Sequence, residues 1–207
     1  MKTRTYRMDH DLGFAPNPFF GWCTLACCKP NVRKAAKKGD IIVGMAGKSG
    51  GLKKIYPRLI FWMRVDDAMP FDDYWRDLRF VPKRPQIPGP RRRAVGDRTY
   101  RHEEGHEGWL FERSMHYRPT ADQVDVGHVS ADTQVDRMLI GKDFTYWGSV
   151  GPKVPDHLIA LFKNRDQDGH EGGPLLTELH ELIDIEHPKG LVGDPADWDN
   201  PRYFAAA

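Results

Sequence analysis

The sequence contains no apolar run long enough to cross a membrane as a helix, which takes about 18–20 apolar residues, and its mean hydropathy is −0.62. The basic residues near the N-terminus, in MKTRTYRMDHDLG, are not followed by the apolar segment of a secretory signal peptide. The absence of both features favours a soluble, cytoplasmic protein without a membrane partner.

Cysteine is scarce, and the short motifs of several large enzyme classes are missing. The three cysteines, Cys23, Cys27 and Cys28, lie within six residues. An odd, clustered count does not indicate a disulfide framework, and a four-ligand zinc site would need further ligands from elsewhere in the chain. The sequence has no P-loop, no GxGxxG and no GxSxG elbow. We therefore expect no cofactor and no bound metal.

What the sequence does contain is the composition of a globular domain with unevenly distributed charge. Of its 207 residues, 40% are hydrophobic and 29% are charged. Residues 1–100 hold 21 Lys and Arg against 9 Asp and Glu, a net charge of +12, whereas residues 101–207 hold 10 against 20, a net charge of −10. The basic half favours a polyanionic partner such as DNA, RNA or a nucleotide. Alternatively, the two halves neutralise one another across the folded surface.

Hydrophobic patterns predict a mixture of strands and helices. The strongest strand pattern is RLIFWMRV at 58–65, and DIIVGM at 40–45 is a second buried-type strand. Helices are expected for the basic segment after Pro30, for the segment opened by Pro70 and for the amphipathic segment that begins at Pro174. The fold class that follows is α+β.

Four segments occur in an order that resembles a known family. They are FAPNPFFGWCTLACCKPNVRKAAKKGDIIVG, MPFDDYWRD, GDRTY and SMHY, and the resemblance covers residues 6–148. The chain resembles the second family of nucleotide-modification-associated domains, which occurs in bacteria and phages. This resemblance implies a link to the synthesis, modification or recognition of altered DNA bases, and it implies no particular reaction.

The order of elements also resembles that of PUA-like domains, which grip the bases of modified nucleic acids. A small helix, the strand in GDIIVG, a glycine-rich turn and the strand RLIFWMRV carry this similarity. It implies a small, mostly antiparallel, barrel-like sheet with a few flanking helices. We expect one domain over residues 1–207, with a core over 1–150, a helical C-terminal extension over 151–190 and a tail over 191–207.

Recognition of a base needs flat side chains for stacking and polar groups for the base edge. Phe19, in the proline-braced loop FAPNPFF, and Trp147 are candidates for stacking, whereas Asn17 and Asp40 are candidates for edge contacts. Candidates for phosphate binding are the basic residues Lys29, Arg33 and Lys48. The alternative is that the aromatic residues belong to the core and that Asp40, which follows a glycine, organises a turn.

Candidate catalytic residues are Cys28, Asp97, Tyr100 and His116. Cys28 precedes a predicted helix and two cations, which would lower its pKa and make it a nucleophile, although free cysteines are often buried apolar residues. His116 is a candidate base or a structural histidine. The HExxH-like string at 102–106 contains Gly105 and lacks an apolar helical period, so we expect a solvated loop rather than a peptidase site.

Together these features predict a nucleic-acid or nucleotide-binding domain that holds a base, modified or not, in an aromatic pocket with a basic rim. The alternative is a transferase or hydrolase that modifies a nucleotide or a base with Asp97, Tyr100, His116 or Cys28. A third alternative is a protein-interaction module without a ligand pocket.

Overall fold

The structure of the protein, a computed structural model, describes residues 1–114, 126–163, 168–185 and 189–200. The strands are β1 (Thr3–Met8), β2 (Cys23–Leu25), β3 (Ile41–Ala46), β4 (Leu59–Arg64), β5 (Asp67–Met69), β6 (Tyr100–Arg101), β7 (Leu110–Phe111), β8 (Met138–Gly141), β9 (Phe144–Tyr146), β10 (Asp168–His170) and β11 (Gly190–Leu191). The α-helices are α1 (Pro30–Ala35), α2 (Phe71–Arg76), α3 (Arg91–Ala94), α4 (Val126–Thr133) and α5 (Pro174–Ile185). Short 3-10 helices cover Gly51–Ile55, Leu78–Lys83, Gly148–Val150 and Asp156–Leu161.

The largest sheet has six strands in the order β10-β1-β3-β4-β9-β11. The pairs β1–β3 and β9–β11 are parallel, and the other neighbours are antiparallel. Its central strands β3 and β4 are buried because both are continuous apolar runs, typical of strands covered on both faces. The strands β10 and β11, from the C-terminal third of the chain, complete the two edges of this sheet.

Side chains from the two faces of the six-stranded sheet enter separate apolar clusters. Val43 and Trp62 pack with Leu158 and Leu179, so α5 and the 3-10 helix Asp156–Leu161 cover one face. Ile42 belongs to the cluster on the other face. This arrangement follows from the two-residue period of strands, because successive side chains point to opposite faces.

A second, three-stranded sheet has the order β2-β8-β5 and continues from the first. The chain passes from β4 into β5 and from β8 into β9, so one antiparallel ladder bends from one sheet into the other. Against this sheet pack α2 and the 3-10 helix Leu78–Lys83, through Phe71, Tyr74 and Phe80. The third pair, β6 with β7, forms a small separate hairpin.

The expectation of mixed α and β structure is confirmed, whereas the barrel-like, PUA-like sheet is not. In the described part of the chain, the edge strands β10 and β11 are not hydrogen-bonded to one another, and no sheet closes into a barrel. The reason lies in the distribution of the strands, because β2 and β5 pair with β8 in a second sheet instead of extending the first one into a closed ring.

Most of the expected elements are present at the expected places. The apolar run at 58–65 forms β4, Pro30 occupies the first turn of α1, and Pro70 caps α2. The helix α4 was not expected, because its sequence VGHVSADT lacks a continuous apolar stripe. Among the residues described, no helix combines the length and the apolar character needed to cross a bilayer.

Candidate functional site

The loop between β1 and β2 is clamped at its base by a buried lysine. The backbones of Asn17 and Thr24 exchange hydrogen bonds of 2.8 and 2.9 Å. The Lys83 ammonium is fully buried and donates to Asn17 O at 2.8 Å, Asn17 Oδ1 at 2.7 Å and Trp22 O at 2.9 Å. Since an ammonium has three donors, each is satisfied here, and the two ends of the loop are held together.

The tip of this loop carries a strained and exposed aromatic residue. Phe20 has a φ of 60°, in the left-handed region that residues other than glycine seldom occupy, and Gly21 follows with a φ of 81°. The Phe20 side chain is 37% exposed, whereas the neighbouring Phe19 is 2% exposed and packs on Trp198 with a centroid distance of 5.7 Å. Backbone strain of this kind concentrates at ligand sites, and here it turns a large ring towards solvent.

Beside the loop tip lies a cleft of about 460 Å³, which we call the basic cleft. Its walls are the loop Pro18–Gly21, Arg92, Lys142, Phe144 and the segment Lys189–Leu191. The residues of this lining include three cations, three phenylalanines and no carboxylate. The cleft can therefore attract an anion, and among its three phenylalanines the exposed Phe20 offers a ring to an aromatic ligand.

The arginines of α3 pack over the aromatic residues of this region. The guanidinium of Arg92 lies 5.7 Å from the centroid of the Phe19 ring, and that of Arg93 lies 5.2 Å from that of Phe20. Arg91 lies 5.9 Å from the Trp198 ring. The helix therefore places a row of positive charge along the edge of the basic cleft.

Two cations of the basic cleft already pair with carboxylates. Arg92 is 3.9 Å from Asp194, with side-chain exposures of 54% and 66%. Lys189 pairs with Asp143, with side-chain exposures of 58% and 30%, and Arg64 binds the same carboxylate. Exposed pairs such as Arg92–Asp194 contribute about 0–1 kcal/mol, so an anionic ligand can compete with Asp194 for Arg92.

A second cleft, of about 450 Å³, adjoins the first and is called here the Trp22 cleft. Lys142 lines both clefts, which are therefore neighbours on the surface. The lining of the Trp22 cleft consists of Trp22, Asp66, Asp67, Arg79, Ile140, Lys142 and Asp143. Its mixture of acids and bases contrasts with the purely cationic lining of the basic cleft.

The candidate Asp97 lies in the core, close to the loop clamp. Its carboxylate accepts hydrogen bonds from Thr24 Oγ1 at 2.6 Å and from Tyr74 OH at 2.7 Å. Burial raises the pKa of Asp97, and the positive charge of Lys83 opposes that change. Burial also disfavours the charged form of Lys83, and for this base it lowers the pKa, to about 8. Asp97 and the candidate Asn17 thus share a buried polar cluster, which joins the loop to the residues before β6.

The candidates Tyr100, Cys28 and Arg33 converge on one buried residue, Asp132. Tyr100 OH donates to Asp132 Oδ2 at 3.0 Å, and the backbone N–H of Cys28 donates to Asp132 Oδ1 at 2.6 Å. Arg33 is completely buried, and its Nη2 donates to the carbonyl oxygen of Asp132 at 2.6 Å. These side chains join α1, α4 and β6 in the interior and are not among the residues that line either cleft.

The remaining ligand candidates lie apart from the two clefts. The Lys29 ammonium sits 4.6 Å from the Tyr6 ring centroid, and the exposed Lys48 sits 5.1 Å from that of Tyr56. The Asp40 carboxylate accepts from the backbone N–H groups of Lys2 and Lys37 and from Arg4 Nε, so it organises a turn. Trp147 is 2% exposed and belongs to the apolar cluster under α5.

Two further sequence features concern histidines. His116 lies outside the described residues. The HExxH-like string falls in the turn between β6 and β7, where Asp72 binds the backbone N–H of His102 at 2.7 Å and its imidazole at 3.1 Å. Within the described ranges, no three His, Cys, Asp or Glu side chains are placed to hold a metal ion.

Cys28 is expected to be unreactive in the folded protein. Burial raises the pKa of its thiol to about 12, with a further contribution from Asp132, and the nearby cations Lys29 and Arg33 do not reverse this. The direction is opposite to the one expected from its position before α1. Because the thiolate is the nucleophile, alkylation by iodoacetamide at pH 8 should be about a thousandfold slower than in the unfolded chain. Peptide mass spectrometry of labelled samples, with and without guanidinium chloride, measures this ratio; similar rates in both would contradict it.

A comparison with protein-family models identifies the family of the chain. The model described as nucleotide modification associated domain 2 matches residues 2–202. The chain belongs to this family. No curated protein and no solved structure matches the chain at a significant level.

In this nucleotide modification associated domain, several residues that line the two clefts could not be predicted as site residues from the sequence. Phe19, a candidate from the sequence, does line the basic cleft. The adjacent Phe20 carries the exposed ring, and the proline-rich loop was the signal for both. Lys142 and Lys189 stand alone in turns, 47 residues apart in sequence, and only the pairing of β9 with β11 brings their segments together.

Proposed function

We propose that this domain binds a nucleotide or a nucleic acid by stacking one base on the exposed Phe20 ring while the cations of the basic cleft bind phosphate. The proposal agrees with the family's association with nucleotide modification. The observation that carries it is the lining of the basic cleft, which combines three aromatic rings with Arg92, Lys142 and Lys189 and contains no carboxylate.

Stacking and charge have complementary roles in such a site. Every base has a flat π-face, so an aromatic ring binds bases with little sequence preference. Cations bind the phosphates that flank the base, and they do so with a strong dependence on salt. A cleft of about 460 Å³ lies within the range of about 300–1,000 Å³ that is usual for small-ligand sites.

The alternative of a nucleotide-modifying enzyme requires a reactive group next to the bound base. The candidates Asp97 and Tyr100 are buried with polar partners, Cys28 is partly buried with its backbone N–H bonded to Asp132, and none of the three lines the basic cleft. The described geometry therefore supports binding more directly than turnover. A defined product on incubation with nucleotides or modified DNA would favour the enzyme instead.

The affinity for a short single-stranded oligonucleotide should fall steeply with salt. With about three phosphate contacts, raising the salt from about 50 to 200 mM should weaken binding about 15–20-fold, because the slope for single strands is about −0.7 per contact. Isothermal titration calorimetry at several salt concentrations measures the slope. The absence of salt-sensitive binding to any DNA, RNA or nucleotide would contradict the proposal.

A single substitution at the loop tip tests whether the ligand binds in the basic cleft. Phe20→Ala should weaken binding about tenfold, since base stacking on an aromatic residue contributes about 1–3 kcal/mol. Leu78→Ala is the matched control, because Leu78 is 84% exposed and does not line either cleft. Equal effects of the two substitutions would remove the loop tip from the proposed site.

A further inference from the structure

The two clefts lie side by side and each presents one aromatic residue of the same clamped loop. Phe20 lines the basic cleft and Trp22 lines the Trp22 cleft, with only Gly21 between them in sequence. The exposed Lys142 lines both clefts and therefore stands at the junction between them. This order of ring, cation and ring matches the order of base, phosphate and base in a nucleic-acid strand.

The Trp22 ring is held in a fixed position beside its cleft. It makes an edge-to-face contact with Phe80, at a centroid distance of 5.8 Å and an interplanar angle of 68°. The backbone oxygen of Trp22 accepts a hydrogen bond from the buried Lys83. The Lys142 ammonium lies 5.6 Å from the ring centroid. The Arg79 guanidinium also lies over this ring, 5.4 Å from its centroid. A half-buried indole with two cations nearby is a suitable surface for stacking a base next to a phosphate.

The charges of the two clefts differ, and this difference favours one placement of the bases and phosphates of a nucleic-acid strand. The Trp22 cleft contains three carboxylates, and among them Asp67 is exposed. One Asp67 oxygen accepts from the neighbouring Ala68 N–H at 2.8 Å. Carboxylates repel phosphate but accept hydrogen bonds from the exocyclic amino groups of bases. The Trp22 cleft is thus suited to a base edge and the basic cleft to a phosphate.

We propose that the ligand contains at least two nucleotides, with its second base stacked on Trp22, an exocyclic amino group of that base directed at Asp67, and the linking phosphate at Lys142. This inference rests on the proposed function, because the basic cleft holds the first base. It makes a single strand of nucleic acid, rather than a free mononucleotide, the preferred class of ligand.

The test compares deoxycytidine monophosphate with the 5′-phosphorylated dinucleotide of two deoxycytidines. The dinucleotide should bind about tenfold more tightly, as expected for one additional stacked base. Trp22→Ala should remove most of this gain, leaving the part that the linking phosphate contributes at Lys142, while the affinity for the mononucleotide stays within about twofold. Retained mononucleotide binding also shows that the variant is folded, and Trp22→Phe should keep part of the gain.

The matched control is Trp75→Ala. Trp75 is also half-buried and also lies near cations, with the Arg84 guanidinium at 4.0 Å from its ring centroid, but it lines neither cleft. This variant should retain the tenfold gain. A wild-type protein that binds mononucleotide and dinucleotide equally would overturn the inference and leave the proposed function intact, whereas failure to bind either would overturn the proposed function itself.

The role of Asp67 is tested with thymine, which lacks an exocyclic amino group. The gain from mononucleotide to dinucleotide should be about twofold smaller for thymidine than for deoxycytidine, because the tenfold gain for deoxycytidine includes the hydrogen bond to Asp67, and Asp67→Asn should make the two gains similar. Equal gains for the two bases in the wild-type protein would overturn the assignment of Asp67 to the base edge.

Discussion

Combining Arg92→Gln, Lys142→Gln and Lys189→Gln should weaken the binding of a short single-stranded oligonucleotide about 100-fold. A hydrogen bond to a charged group contributes about 1.5–3 kcal/mol, and screening at exposed positions reduces this to about 1 kcal/mol for each cation. Three cations together then give about 100-fold. The logarithmic salt slope should also become shallower by about 2, because about three counterion-releasing contacts are lost.

The control for this variant carries the same change in net charge at other exposed positions. Lys34→Gln, Lys38→Gln and Lys53→Gln together remove three charges from residues that do not line the clefts. Fluorescence anisotropy with labelled oligonucleotides should show less than about a threefold change for this control. If both triple variants lose affinity to the same extent, binding depends on the overall charge of the protein and not on the basic cleft.

Arg33→Met should reduce the free energy of unfolding by about 3–5 kcal/mol, the range observed when one partner of a buried charged network is removed. The guanidinium is fully buried, and its Nε donates to Cys28 O at 2.8 Å. Its Nη1 donates to Val135 O at 2.7 Å and to Arg137 O at 2.8 Å, and its Nη2 donates to Asp132 O. Methionine fills much of the same volume but leaves all four carbonyl oxygens without these donors.

Urea denaturation followed by circular dichroism measures this loss. Lys34→Met, at the next and exposed position of α1, is the control and should change the free energy of unfolding by less than about 0.5 kcal/mol. Arg33→Lys keeps the charge but not the planar fork of donors, so it should also be clearly destabilised. An Arg33→Met protein within about 1 kcal/mol of the wild type would show that these carbonyl contacts contribute little.

The buried role of Arg33 shows where sequence patterns stop being informative. A basic residue in a short basic helix is usually exposed, as are Lys34 in α1 and Lys37 and Lys38 just after it. Arg33 is buried because the connection from α4 to β8, about 100 residues later in the chain, folds over it and supplies the carbonyl acceptors. No local pattern around Arg33 contains that information.

Elements with strong local signals were predicted correctly, and elements defined by their partners were not. The strand β4 is a long apolar run, and α2 follows a proline with acids in its first turn, so both are visible in the sequence. The strands β10 and β11 have three and two residues and exist only through their pairing with β1 and β9. Whether a sheet closes into a barrel depends on which strands pair at its edges. Because the sequence does not show the pairing of such short strands, it led to the prediction of a barrel, whereas the sheet is open.

The sequence pointed to one wall of the basic cleft but not to most of its cations. Prolines indicated a rigid aromatic loop, and this loop lines the cleft, whereas Lys142 and Lys189 come from the acidic second half of the chain and only Arg92 comes from the basic first half. The sequence could not tell which of two adjacent phenylalanines is exposed, because that depends on the left-handed backbone of Phe20. It also could not separate the surface arginine Arg92 from the interior Arg33.

The hydrogen bonds of Lys83 fix the backbone frame of the loop at Asn17 and Trp22, whereas the surface of the loop tip is formed by the side chain of Phe20. One ammonium group grips Asn17 and Trp22 through two carbonyls and an amide oxygen, and no side-chain atom of position 20 takes part. Replacing the residue at position 20 can therefore alter the shape and polarity of the displayed surface while the frame persists. Position 20 is therefore tolerant of substitution as far as the hydrogen-bonded frame of the loop is concerned.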